Sequence, residues 1–106
     1  MSNVGIAEFE TSTLGPLFID LDNYDSCNYI LIDCSLNNVI METTTTLFDG
    51  YYFTIIRTDN SSNTLTINSK SGQSINGTTS FIMPERSYLE MVGFNNNWKC
   101  INLPLL

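Results

Sequence analysis

The sequence predicts an all-β fold, an antiparallel β-sandwich of jelly-roll type, on three observations. Apolar and β-branched residues gather in runs of about four to seven. Clusters of Asn, Asp, Ser and Gly separate these runs every ~8–12 residues. No stretch repeats its apolar residues at the helical period strongly enough to call a helix. The 106 residues form a single domain, residues 1–106, with residues 1–3 expected to be a disordered start.

Taken in order, the runs are Val4–Phe9, Leu17–Leu21, Tyr29–Asp33, Val39–Thr43, Tyr51–Arg57, Thr64–Asn68, Ser80–Met83, Tyr88–Val92 and Trp98–Asn102. In TLTIN, Leu65 and Ile67 fall on one face and Thr64, Thr66 and Asn68 on the other, so one side is wet. In YYFTIIR both faces carry apolar groups: Tyr51, Phe53 and Ile55 on one, Tyr52, Thr54 and Ile56 on the other. A strand apolar on both sides is expected to meet another subunit as well as its own core. The segments DNYDS, SLNN, LFDG, DNSSN, SKSGQ, INGT and FNNN supply the turns. Asn76-Gly77 is a strong hairpin signal, because Gly77 permits the positive φ of a type I′ turn. MPERSYLEM admits one helical turn led by Pro84 and Glu85, against which stands a strand from Tyr88. No internal repeat is evident.

Charge excludes some partners. Eleven acidic residues against four basic ones leave a net charge of −7, which repels nucleic acid. No apolar run approaches the ~18 residues that cross a bilayer. MSNVGIAEFE lacks the basic start and apolar block of a secretory signal, so no membrane insertion is expected, and glycosylation at Asn60 or Asn76 is not either. The three cysteines, Cys27, Cys34 and Cys100, read as three reduced, partly buried thiols, preferred to a Cys27–Cys34 or Cys34–Cys100 bridge.

Chemistry is hard to build from these residues. Histidine is absent, which excludes triads that use imidazole. The carboxylates lie mostly in turns, where nothing marks two of them as a glycosidase pair. DLDNYD places Asp20, Asp22 and Asp25 close together but lacks the glycine and the final glutamate of an EF-hand loop. The expectation is a protein that is not an enzyme, with no catalytic residue, no metal and no cofactor.

The run TIIRTDNSSNTLTINSKSGQSINGTTSFIMPERSYLEMVGFNNNWKCI resembles the C-terminal β-meander of fibre and tail-fibre head domains of bacteriophages and other large DNA viruses, over residues 51–102. Thr64 to Ile67, Gly72, Ile75-Asn76-Gly77, Phe81, Tyr88 to Met91 and Asn95 to Trp98 fill the places of that pattern. Asn96-Asn97 stands where the family usually has Asp-Gly, and NLPLL is longer than the pattern requires. The N-terminal half, Met1 to Phe48, matches nothing. The resemblance implies a homotrimeric knob made in the host cell interior and displayed on the virion surface, at an exposed fibre tip. There it attaches the virion to the host by binding a cell-surface glycan or receptor. The alternative is a structural trimerisation, capping or decoration module with no receptor of its own.

For glycan binding, the candidate residues are Tyr51, Tyr52, Asn95, Asn96, Asn97 and Trp98. Tyrosine rings stack on the apolar faces of sugars, and asparagine amides both donate to and accept from hydroxyls. Tyr51 and Tyr52 must point to opposite sides of their strand. Trp98 shares a face with Cys100 and has two readings, a core residue with its N–H bonded or an exposed stacking ring.

Overall fold

A computed structural model describes residues 5–70 and 72–100. The proposed disordered start at residues 1–3 and the tail NLPLL lie outside the described residues. Nine strands are present among them: β1 (Gly5–Glu10), β2 (Leu17–Asp20), β3 (Cys27–Asp33), β4 (Val39–Glu42), β5 (Tyr52–Arg57), β6 (Leu65–Asn68), β7 (Ser80–Ile82), β8 (Tyr88–Phe94) and β9 (Asn97–Cys100). They match the nine runs read from period and turns. A strand does begin at Tyr88. Among the described residues the one helical turn is of 3₁₀ type at Leu21–Tyr24, where the Asp20 carboxylate accepts from the Asp22 N–H. No helix among the described residues is long and apolar enough to cross a membrane.

The strands form two sheets, ordered β1-β3-β5-β8-β9 and β2-β4-β6-β7, so the expected two-layer all-β architecture is present. Its pairing departs from the antiparallel jelly-roll expectation. β1 with β3, β3 with β5, β2 with β4 and β4 with β6 are all parallel. Among the nine strands, antiparallel pairing joins β5 with β8, β6 with β7 and β8 with β9. Odd and even strands of the first six alternate between the two sheets. The chain therefore winds through three stacked coils, β1–β2, β3–β4 and β5–β6, and then closes with an antiparallel cap. This is a short β-solenoid, and the described part of residues 51–100 contributes one coil and the cap rather than a simple meander. The physical reason is that a polar corner that steps across to the opposite sheet has the same composition as a hairpin turn. Alternation along each strand is unchanged as well.

A repeat exists, though in burial rather than in identity. Leu17, Val39 and Leu65 occupy one inward station, and Ile19, Met41, Ile67 and Phe81 the next. Across the core, Ala7, Ile30, Ile55 and Leu89 form a facing row. The intervals between equivalent residues are unequal, which hides the repeat from inspection of the sequence. Each coil buries its apolar face mainly against its neighbours, as solenoids do. The middle stations Ile30, Ile32, Val39 and Met41 are essentially closed to solvent.

One inward station of β5 is Arg57, in register with Ile32. It lies buried at the core's edge and donates to Asp59 at 3.0 and 3.2 Å, to the Met83 carbonyl at 3.1 Å and to the Asn63 carbonyl at 2.5 Å. Asp59 accepts in turn from the Cys34 N–H at 2.9 Å. The pair ties the second coil, the third coil and the cap together at one corner.

Candidate functional site

Four of the six residues expected to bind glycan come together at one end of the molecule. The β8–β9 hairpin closes with Phe94 opposite Asn97, and the two residues between them, Asn95 and Asn96, have φ of 55° and 61°. Both values lie in the left-handed region that a type I′ turn requires, and asparagine tolerates it better than other side-chain-bearing residues. The Asn95 N–H donates to Asp49 Oδ1 at 2.8 Å. The Asn96 amide donates to the Gly72 carbonyl at 2.7 Å, and Asn97 Oδ1 accepts from Ser74 Oγ at 2.8 Å. These bonds fasten the turn to the loop before β5 and to the segment before β7.

That loop is held just as closely. Gly50 N–H donates to the Gly93 carbonyl at 2.8 Å, and Gly93 N–H to the Tyr51 carbonyl at 2.7 Å. A Cβ on Gly93 would stand 2.7 Å from the Phe48 carbonyl and run into Leu47, so only glycine lets the loop lie against β8. The result exposes two rings that the sequence reading passed over. Phe48 and Phe94 are 58% and 57% exposed. Their signal was available, since each is an aromatic residue set inside or beside a turn, in LFDG and GFNNN.

The two tyrosines do point to opposite sides. Tyr51 is half-buried and packs against Phe48, Phe53 and Trp98 at centroid distances of 4.9, 6.4 and 5.6 Å. Burial, and secondarily the charge of Asp25, raises its phenol above the ordinary value. Tyr52 lies on the outer face of the first sheet, where its hydroxyl meets Thr54 Oγ1 at 3.0 Å and donates to Glu90 Oε2 at 3.1 Å. It lies diagonal to Phe94 on that outer face, on the opposite side of its strand from Tyr51. Trp98 is wholly buried, and its indole N–H donates to Gln73 Oε1 at 2.9 Å. Its core reading holds, and no face of it reaches a ligand. Gln73 also accepts from Thr43 Oγ1 at 2.8 Å and donates to the Thr44 carbonyl at 2.7 Å, a satisfied polar group inside the cap.

What this end offers chemically is contact surface. Two exposed rings offer apolar surface, and the exposed Asn95 and Asn96, with Asp49 beside them, offer hydrogen-bonding groups. The acidic segment DLDNYD is otherwise occupied: the Lys70 ammonium donates to Asp20 and Asp22 at 2.6 Å each. The bonds from Lys70 and Thr45 hold the Asp22 carboxyl down at about 2. Among the described residues, no group of three or more His, Cys, Asp or Glu side chains is placed to hold a metal ion.

A second surface feature is a stripe. Phe18, Ile40, Thr66 and Ile82 stand in register across all four strands of the second sheet and face outward. Phe18 is 60% and Ile82 62% exposed. On the first sheet, Leu31 and Ile56 form a shorter outer row between Glu8 and Tyr88. YYFTIIR is thus apolar on both faces, as expected, with Phe53 and Ile55 buried and Tyr52 and Ile56 outside.

No family model and no curated protein matches this chain.

Proposed function

We propose that this chain is the head of a viral fibre, a homotrimer that attaches a virion to its host by binding cell-surface glycan through the end cluster. The observation that carries the reading is the pairing of exposed rings with amides on a fixed scaffold. Phe48 and Phe94 flank the Asn95–Asn97 turn, and the bonds to Asp49, Gly72 and Gly93 fix both loops. Rigid aromatic and amide groups bind at low entropic cost. Such an open patch binds one sugar weakly, and threefold display raises avidity by about 10²–10⁴. The outer stripe Phe18–Ile40–Ile82 supports the trimer, because an apolar row crossing an entire sheet is favourably removed from water by other copies. On this reading Tyr51 supports Phe48 from behind, and Phe94 takes the stacking role first expected of the tyrosines.

A structural module without a receptor is the second reading. It is favoured by the engagement of both tyrosines, Tyr51 in ring packing and Tyr52 with Thr54 and Glu90. The trimer is common to both readings. A glycan array probed with the wild-type chain and with Phe94→Ala separates them. Binding that Phe94→Ala loses at unchanged molecular mass supports the attachment reading. No glycan bound by the wild type leaves the structural module.

A further inference from the structure

The two ends of the solenoid differ. At the cap, the outer edge of β9 is already used. Trp98 N–H donates to the Ser74 carbonyl at 2.7 Å, Asn76 N–H donates to the Trp98 carbonyl at 2.9 Å, and Cys100 N–H donates to Asn76 Oδ1 at 2.9 Å. At the other end, β1 and β2 are the terminal strands of their sheets among the described residues. Thr11 and Leu17 donate inward to the Asp33 and Asn38 carbonyls. Strand alternation therefore turns the backbone groups of Glu8, Glu10 and Phe18 toward the open edge. The inward residues of this coil are covered on one side only: Ala7, Phe9 and Leu17 remain half-buried while their partners Ile30, Ile32 and Val39 are closed. The corner joining β1 to β2 carries a hollow of about 330 Å³ bordered by Glu10, Pro16 and Leu17, with Leu14 95% exposed beside it.

We propose that the β1–β2 end is a docking surface for the terminal coil of a second, different parallel β-solenoid. The incoming coil adds one strand to each sheet, lays aliphatic side chains over Ala7, Phe9 and Leu17, and places a basic side chain on its outer face. The charge follows from the ladder. Glu10 already stands beside Asp33, and Glu8 lies on the same outer face; an added Lys or Arg relieves both, while a further acid is repelled. A second copy of this chain is a poor occupant. Joined open end to open end, it sets Glu8 and Glu10 against their own images, and with the β9 edge used its capped end offers only the β7 edge, one strand where this end has two. Two parallel edges flanking a half-covered apolar core are what strand addition needs. This inference stands on the edges and the charge and does not depend on the glycan reading.

The test fuses a copy of residues 27–48, carrying Asp33→Lys, ahead of Met1 of the full chain, and follows amide hydrogen exchange. The expected result is that exchange at Glu8, Glu10 and Phe18 slows by about tenfold or more relative to the unfused chain, with mass per chain as the only change in assembly. Protection of β5 amides reports that the host has folded. If the fusion itself does not fold, the same segment added in trans as a synthetic peptide gives the same readout. Unchanged exchange at those amides in a folded host overturns the proposal. So does slow exchange in the unfused chain that speeds up on dilution, because a second copy would then hold the edge.

Discussion

Replacing Arg57 by methionine tests the corner clamp most severely. Arg57 and Asp59 side chains are each 3% exposed, so the substitution keeps volume and apolar stem but strands a carboxylate in the interior. Asp59 retains donors from Cys34 N–H at 2.9 Å, Ser61 N–H at 3.0 Å and Ser61 Oγ at 2.6 Å, and the Met83, Ser61 and Asn63 carbonyls lose theirs. Breaking a buried pair from one side costs about 3–5 kcal/mol. At roughly 4 °C per kcal/mol for a domain of this size, the midpoint falls by about 12–20 °C. Thermal and urea unfolding followed by Trp98 fluorescence, at fixed chain concentration, measure the midpoint and the free energy respectively. The pH dependence supplies a second arm. Burial pushes the Asp59 carboxyl up, but its hydrogen bonds from Arg57, Ser61 and Cys34 outweigh that and hold it well below the carboxylate range. A depressed folded value gives stability that is full above the unfolded value of about 3.9 and is lost as pH falls toward the folded one. The gap between wild type and Arg57→Met should therefore narrow below about pH 4. A loss under about 1 kcal/mol, or a gap that widens in acid, refutes the clamp.

Other outcomes follow from the same geometry. Cys34 and Cys100 are buried, which pushes each thiol up to about 11, whereas Cys27 is only half-buried. A thiol reagent at pH about 8 should label Cys27 first and the other two only on unfolding, and one reactive thiol in denaturant would instead mean a bridge. Gly93→Ala should destabilise by about 1–3 kcal/mol and abolish glycan binding by displacing the Phe48 loop; retained binding would detach that loop from the site. Asn96→Gly, which keeps the positive φ but removes the amide, should weaken glycan binding while lowering the melting temperature by only about a few degrees, read by array and calorimetry together. Tyr52→Ala distinguishes roles by mass and binding: dissociation places the ring at an interface, and loss of binding with mass unchanged places it at the receptor.

The strands were legible because period-two alternation and turn chemistry are local. Leu65 and Ile67 had to share a face whatever β6 paired with, and Asn76-Gly77, with φ of 47° and 86°, had to turn sharply. Pairing is not local. The corner after β1 and a hairpin turn have the same composition, so the parallel ladder Leu17–Val39–Leu65 could not be told from an antiparallel one. Arg57 reads in sequence as the polar end of a strand, and only its inward station beside Ile32 makes it a buried clamp. At the end cluster, Asn95 and Asn96 were legible as exposed residues because they lie in a turn. The exposure of Phe48 and Phe94 was not legible, because aromatic residues are ordinarily counted toward the core.

Sedimentation equilibrium of the full chain at micromolar concentration tests the trimer on which both functional readings rest. The account predicts a species of three times the 11.9 kDa chain mass, shifting toward monomer when Phe18 and Ile82 are both replaced by serine. A single 11.9 kDa species for the wild type contradicts it and returns the Phe18–Ile40–Ile82 stripe to the solvent.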